Sequence, residues 1–270
     1  MKTPEKNGRI RKALVPAAGG GTRMRPLSLA VPKPFLPLGR LPLVEFAFFE
    51  ARAAGMEEVG LVVSPGMVEP ARRYLEGRDP SWIPVKILVQ EEPKGLADAI
   101  LRGLPWLEGE GAAVLNPDSL FTSPEPPLAR MVAAAGGRAQ AVLPLIRVES
   151  SWAGRVAAAG RVRVARRGGE VLPIAEVLPK ERGKTFAHVP EKWKCGGRYL
   201  LGPSHLEEMR DRRLGGGEHD DTPYLAEWAR RGDLLGVPVG GRPLDCGIPE
   251  GYLETWRTLL GPERPSWWPG

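Results

Sequence analysis

Residues 12–37 read KALVPAAGGGTRMRPLSLAVPKPFLP, and this stretch decides how the chain is built. It opens with an apolar run, 13–18, of the length and composition of a buried strand. Gly19, Gly20 and Gly21 follow without a break, then Thr22 and Arg23. Glycine lacks a Cβ, so its backbone reaches positive φ and comes very close to a ligand. Consecutive amides from Ala18 to Thr22, placed after a strand, can form a concavity of N–H donors that suits phosphate oxygens. Arg23 and Lys33 add charge that a polyphosphate can use. A glycine triplet by itself reads equally as a flexible turn beside two solvated bases. The strand before it, the Thr-Arg after it and the Pro-Lys at 32–33 favour the phosphate.

Outward from this loop, short apolar runs alternate with helical patterns. Strands are expected at 13–18, 59–63, 85–89 and 112–115, and helices at 43–54, 68–75 and 96–104, with Gly55 placed to end the first helix. Strands separated by helices imply right-handed βαβ crossovers. The fold class is therefore α/β, Rossmann-like, a mostly parallel sheet flanked by helices. In such sheets ligands sit at the carboxyl ends of the strands. After Pro124 the pattern loosens. A strand is expected at 139–146, and short strands broken by Gly-Gly and Pro at 154–177 suggest antiparallel ribbons over the site. Strands at 199–201 and 233–239 and helices at 204–213, 222–230 and 249–260 complete the series. The expected organisation is a basic tail at 1–11, one domain at 12–262 and a tail at 263–270. Within the domain, residues 12–123 form one half and 124–262 the other. Trp267 and Trp268 are expected to dock on the same subunit.

At 270 residues, 42% apolar and 26% charged, the chain can bury a sizeable core. The net charge of +6 suits anionic partners. The basic residues are scattered and no run of them alternates with aromatics, so a nucleotide accounts for the charge and no nucleic-acid partner is expected. Cys195 and Cys246 form no CxxC pair and no metal spacing, which suits buried thiols in a reducing compartment. The amino terminus is polar, and no stretch approaches the ~20 apolar residues that span a bilayer. A cytoplasmic protein with no membrane partner is the expectation.

The 12–37 segment resembles the nucleotidyltransferases that join a nucleoside triphosphate to a sugar 1-phosphate, whose pattern is roughly GxGTRxxPxTxxxPKxxLP. Gly19, Gly21, Thr22, Arg23, Pro26, Pro32, Lys33, Leu36 and Pro37 fill it. The bacterial UTP–glucose-1-phosphate uridylyltransferases are most similar, then the glucose-1-phosphate thymidylyltransferases. Ser28-Leu29 stands where the uridylyltransferases carry Thr-Lys, so this segment alone does not choose between uracil and thymine. The resemblance runs from about Lys12 to about Leu260.

Further residues match the family motif by motif. Gln90 closes the third expected strand, and Gly95-Leu96-Ala97 follows. An amide that both donates and accepts suits the edge of a pyrimidine, and the resemblance implies that Gln90 and Gly95 read the base. Asp118, in VLNPDSLF, follows a buried run and is placed to hold a hard cation. Asp245, in PLDCGIPEGY, matches the family's second metal ligand, so the resemblance implies Mg²⁺ on Asp118 and Asp245. Both acids could instead cap turns. On the sugar side, Gly154 sits where the family has YGxV, and Glu176 falls near the Glu of its EKP motif. The lysine of that motif is missing. Lys180, Arg182 in a second register, and Lys192 where the family has Asn are the candidate replacements, against a reading of all three as solvated loop charges. A homo-oligomer is an expectation of family analogy alone.

The implied reaction is in-line displacement at phosphorus, with NTP and sugar 1-phosphate as small-molecule substrates. Arg23, Lys33, Asp118 and Asp245 carry the catalytic assignment. UTP and glucose 1-phosphate are favoured. The rivals are a thymidylyltransferase, a guanylyl- or cytidylyltransferase relative, and a non-catalytic protein that binds nucleotide sugars.

Overall fold

The apolar run after Lys12 becomes a strand buried on both faces. Ala13, Leu14 and Val15 are fully buried. Side chains alternate across a strand, so Leu14 enters one core cluster and Ala13 and Val15 enter another. The computed structural model of the chain describes residues 10–79, 81–136, 140–165, 168–181, 183–212 and 218–269. Most of the expected basic tail, residues 1–9, and Arg182 lie outside them.

In chain order the described strands are β1 (Lys12–Pro16), β2 (Pro37–Leu38), β3 (Leu41–Pro42), β4 (Glu58–Val63), β5 (Val85–Val89), β6 (Ala112–Leu115), β7 (Ser119–Phe121), β8 (Ala141–Arg147), β9 (Arg161–Val164), β10 (Leu172–Val177), β11 (Trp193–Cys195), β12 (Arg198–Leu201), β13 (Leu234–Val239) and β14 (Pro243–Asp245). Ten of them make one sheet in the order β11-β9-β10-β13-β8-β12-β6-β1-β4-β5. The first-half strands β5, β4, β1 and β6 are all parallel. Beyond β6 the sheet reverses. β12 runs antiparallel to β6 and β8, β13 is parallel to β8, and β9, β10 and β11 pair antiparallel. The Rossmann-like parallel half and the antiparallel extension are as expected, but the sheet is mixed rather than mostly parallel, because the extension contributes more pairings than the parallel half.

Helix Leu43–Ala53 lies on one face, burying Val44, Ala47, Phe48 and Ala51. Helix Leu96–Leu101 lies on the other, burying Ala97 and Ile100. Two expected bounds change. The expected strand 13–18 stops at Pro16, and Ala17 adds one bond to the Val62 carbonyl at 2.7 Å before the chain leaves the sheet. The expected helix 96–104 breaks in two, Leu96–Leu101 and Leu104–Leu107. Pro105 has no N–H to continue the first helix. Gly103 passes so close to β1 that a Cβ there would lie 2.6 Å from a Leu14 methyl. Ala139 and Arg213, at the edges of two other expected elements, lie outside the described residues.

One buried ion pair ties the helix layer to the loops above the sheet. Arg198 on β12 and Glu50 on helix Leu43–Ala53 meet at 2.7 Å with both side chains fully buried. Arg198 also donates to the carbonyls of Asn116 and Gly197, and Glu50 accepts from the Leu128 amide at 3.0 Å. Arg198 Nε is buried without a partner, but a buried pair whose other groups are bonded to nearby backbone holds its surroundings in place. Here it fixes the turn that leads to Asp118. At the carboxyl end of the chain, Trp268 is buried edge-on against Phe46, with ring centroids 5.4 Å apart, and Trp267 Nε1 donates to Ser123 O.

Candidate active site

The functional loops gather at the carboxyl ends of β1, β5 and β6, where a parallel sheet leaves its backbone ends open. After β1, Ala18 is buried and Gly19 and Gly20 are exposed. Gly21 takes φ +59°, a left-handed conformation that starts a 3₁₀ turn over Thr22–Met24. Its carbonyl accepts from Met24 N at 2.9 Å and from Ser28 Oγ at 2.8 Å. Among the described residues, the amides of Gly19, Gly20, Gly21 and Thr22 donate to nothing. The loop is thus a row of open N–H donors with Arg23 at its end. Lys33 begins a second 3₁₀ turn, Lys33–Phe35, behind it.

Asp118 and Asp245 are distant in sequence and adjacent in space. Asp118 precedes β7, and β7 pairs antiparallel with β14, with Asp245 opposite Ser119. Cys246 N donates to Asp118 O at 2.7 Å, closing the ribbon over both acids. A point one bond from the Gly247 Cα lies 2.8 Å from Asp245 Oδ1, 2.9 Å from Asp118 Oδ2 and 2.9 Å from Arg23 Nη2. The two carboxylate oxygens are therefore within about 6 Å of each other, so a side-chain shift of under about 1 Å lets both meet one hard cation, whose oxygen ligands lie at ~2.0–2.6 Å. Among the described residues no third His, Cys, Asp or Glu joins them. That suits Mg²⁺, which keeps waters and takes substrate phosphates. Lys33 Nζ sits on Asp118 Oδ2 at 2.5 Å, and Arg23 Nη1 is 3.8 Å from Asp245 Oδ2. Burial pushes the Cys246 thiol up to about 12, so it stays protonated beside the acids.

A cavity of about 1010 Å³ opens beside this pair. Arg23, Asp118, Asp245, Lys180, Lys194, Cys195, Tyr199 and Asp221 are among the residues that line it. Three expected sugar residues are not in its wall. Glu176 is half-exposed and bonded to Arg163 at 2.6 Å. The cause is a β-bulge. The β10–β9 register shifts between Ile174 and Glu176, which turns Glu176 outward and gives the wall position to Val177. Lys192 is exposed just ahead of β11. Gly154 is exposed in a 3₁₀ turn with nothing within 4 Å of its Cβ direction, while Gly160 lines the cavity instead. Lys180 is in the wall and exposed.

Two wall residues escaped the sequence reading. Lys194, the centre of β11, reaches under the 157–160 loop and donates to Ala159 O at 2.6 Å. Burial holds its ammonium below the ordinary lysine range; Cys195 and Asp245 oppose that and Lys180 adds to it. Asp221 accepts from Tyr199 OH at 2.7 Å. Burial, with Asp220 alongside, raises its carboxyl to about 7. A buried charge near a cleft is the signal for both, and it is absent from a one-dimensional pattern.

Gln90 and Gly95 stand together at the end of β5, outside that cavity. Gln90 Nε2 donates to Gly95 O at 3.1 Å and to Asp98 Oδ2 at 2.8 Å. Gly95 takes φ +108°, and a Cβ there would lie 2.4 Å from His219 O. His219 N donates to Lys94 O, and Ala97 N to His219 O at 2.9 Å. It is thus the backbone of His219 that Gly95's missing side chain admits.

The family model described as nucleotidyl transferase matches residues 12–177. A UTP–glucose-1-phosphate uridylyltransferase of Pseudomonas aeruginosa is 28% identical, covering 91% of this chain and 94% of its own length. Its Escherichia coli (strain K12) counterpart is 26% identical over 97% of this chain and 96% of its own. Among solved structures, a UDP-glucose pyrophosphorylase complexed with UDP-glucose superimposes with a TM-score of 0.76 at 25% identity, covering 93% of this chain and 99% of that one. An apo UDP-glucose pyrophosphorylase gives 0.79 at 25% identity, covering 93% and 98%.

Proposed function

The chain belongs to the nucleotidyl transferase family, and from that premise we propose that it transfers the uridylyl group of UTP to glucose 1-phosphate, releasing pyrophosphate and UDP-glucose. The uridylyltransferases that it matches along nearly their whole length support the substrates. The observation that carries the chemistry is the convergence of Asp118, Asp245 and Arg23 on one point beside Gly247.

The reaction brings two anions together. A phosphate oxygen of the sugar 1-phosphate attacks the α-phosphorus of UTP, the bond to the β-phosphate oxygen breaks, and pyrophosphate leaves with the electron pair. The attacking oxygen is already anionic near neutral pH, so no general base is required. The barrier lies in positioning and charge, as in other phosphoryl transfers. The amides of Gly19 to Thr22 hold the triphosphate, and Arg23 neutralises the leaving pyrophosphate. Lys33 leaves Asp118 to meet the α-phosphate. Asp118 and Asp245 are the residues that would hold Mg²⁺, which supplies charge neutralisation between the two substrates. Lys194 and Lys180 face the sugar phosphate from the far wall, in the role of the lysine missing after Glu176. Gln90 and Gly95 read the base.

Among the described residues no helix is long and apolar enough to cross a membrane, and both cysteines are free and buried. These suit a cytoplasmic enzyme, and relatives of this kind suggest a homo-oligomer. Pyrophosphate release tests the proposal with UTP, dTTP, GTP and CTP against a panel of sugar 1-phosphates. The expected result is Mg²⁺-dependent turnover, fastest with UTP and glucose 1-phosphate. Turnover only with GTP or CTP, or tight UDP-glucose binding without turnover, would refute it.

A further inference from the structure

Gln90 carries one amide that can be presented in two ways, and its surroundings allow one of them. The side chain is 4% exposed. Its Nε2 lies 2.8 Å from Asp98 Oδ2 and 3.1 Å from Gly95 O. Asp98 is itself buried, on the first turn of helix Leu96–Leu101. Arg102, one turn on, donates to it through Nη2 and, at 3.4 Å, through Nε. Burial alone would raise the Asp98 carboxyl, but hydrogen bonds from Arg102 and Gln90 outweigh it and hold it below the ordinary carboxylate range. An ionised carboxylate only accepts, and so does a carbonyl. Turning the amide over would set the Gln90 oxygen against both acceptors and leave the amide group without either partner.

The amide oxygen is therefore the atom presented outward. Gln90 Oε1 accepts from no described residue and is not enclosed. The Gly95 amide likewise donates to no described residue. An acceptor and a donor side by side complement N3–H and a neighbouring carbonyl of uracil or thymine. Cytosine, held in the same register by its ribose, would set the N3 lone pair against Oε1.

We infer that Asp98, locked by Arg102, is a positioning residue that fixes the Gln90 amide oxygen-outward and so selects bases bearing an N3–H over cytosine. This rests on the uridylyltransferase reading above and deepens it. Leaving a buried polar group mispaired disfavours the wrong base by about 10–100-fold, and that selectivity depends on the lock.

The test compares kcat/KM for UTP, dTTP and CTP in the wild-type chain, Asp98→Asn and Arg102→Gln, with saturating glucose 1-phosphate and Mg²⁺. Asparagine keeps the shape of Asp98 but can donate to Gln90, which frees the amide to turn. The UTP-to-CTP ratio is expected to fall at least tenfold in Asp98→Asn, and at least threefold in Arg102→Gln. The UTP-to-dTTP ratio should stay put, because both bases carry N3–H. Calorimetric affinities for UDP and CDP give the same ratio without turnover. Arg102 lies on the helix surface, so its variant decides the matter should Asp98→Asn not fold. An unmoved ratio, or equal losses for UTP and CTP, would overturn the inference while leaving the uridylyltransferase reading intact. Failure of the wild-type chain to turn over UTP or dTTP would overturn that reading itself.

Discussion

Replacing Gly247 by alanine probes the point where the site converges. Gly247 has no left-handed φ, so its backbone accepts an alanine without strain. The new methyl would stand 2.8 Å from Asp245 Oδ1 and 2.9 Å from both Asp118 Oδ2 and Arg23 Nη2. Optimal non-bonded contact to carbon is ~3.5–4.0 Å, so each group must retreat by more than half an ångström. All three atoms are the far ends of side chains, so they can retreat without moving the main chain. The stability terms are small and opposed. Gly→Ala at a compatible position gains about 0.4–1 kcal/mol through the unfolded state. The exposed Arg23–Asp245 pair is worth about 0–1 kcal/mol at most. The chemistry is not so protected, because the two carboxylates and the arginine are spread apart around an apolar methyl. Disrupting one such preorganised electrostatic contact costs ~10²–10³ in rate. In a pyrophosphate-release assay with UTP and glucose 1-phosphate, kcat should fall ~10²-fold or more. The Mg²⁺ concentration for half-maximal rate should rise at least tenfold, with the thermal midpoint nearly unchanged. Gly154→Ala, whose Cβ meets nothing within 4 Å, should behave as wild type. Wild-type rate and Mg²⁺ dependence in a folded Gly247→Ala protein would refute the assignment of Asp118 and Asp245.

Other perturbations separate the sugar side from the nucleotide side. Lys194→Met removes the ammonium that faces Ala159 O; KM for glucose 1-phosphate should rise about tenfold or more by initial-rate kinetics, with KM for UTP unchanged, as for the loss of one charge-assisted hydrogen bond. Glu176→Gln should leave both KM values within about twofold, because the bulge turns that carboxylate to Arg163. Asp221 carries a carboxyl raised to about 7, chiefly by burial. The folded state therefore holds the proton more tightly than the unfolded chain, whose Asp titrates near ~3.9. Stability is favoured below that value and is lost as pH rises toward 7. Urea midpoints of Asp221→Asn should show that decline flattened between pH 4 and 7, and an unchanged slope would place the titration elsewhere.

The nucleotide side was legible because its signals are local. A parallel strand buried on both faces must be apolar throughout, so β1, β4 and β6 show in the sequence as short runs, and the loops that follow them carry the polar chemistry. Glycine at 19–21 and Asp118 directly after such runs can be placed from one dimension alone. Asp245 needed the resemblance, since only the β7–β14 pairing brings it beside Asp118. On the sugar side, Glu176 stands outside the cavity wall for a physical reason. In an antiparallel ribbon, facing is set by register, and a single extra residue reverses it. The bulge after Ile174 takes Glu176 out of the wall, and nothing in LPIAEV announces a bulge. Lys194 enters the wall because β11 is held between β8 and β9, a placement made by partners elsewhere in the chain. The base lock was unreadable for the same kind of reason. Asp98 and Arg102 form an ordinary i,i+4 pair on a helix, and only the fold reveals that Asp98 Oδ2 also reaches Gln90. The residues that differ from the family's expected sugar motif are thus the ones whose roles depend on long-range pairing. Choice of sugar in this chain should therefore be sought in β9, β10 and β11 rather than in the glycine loop.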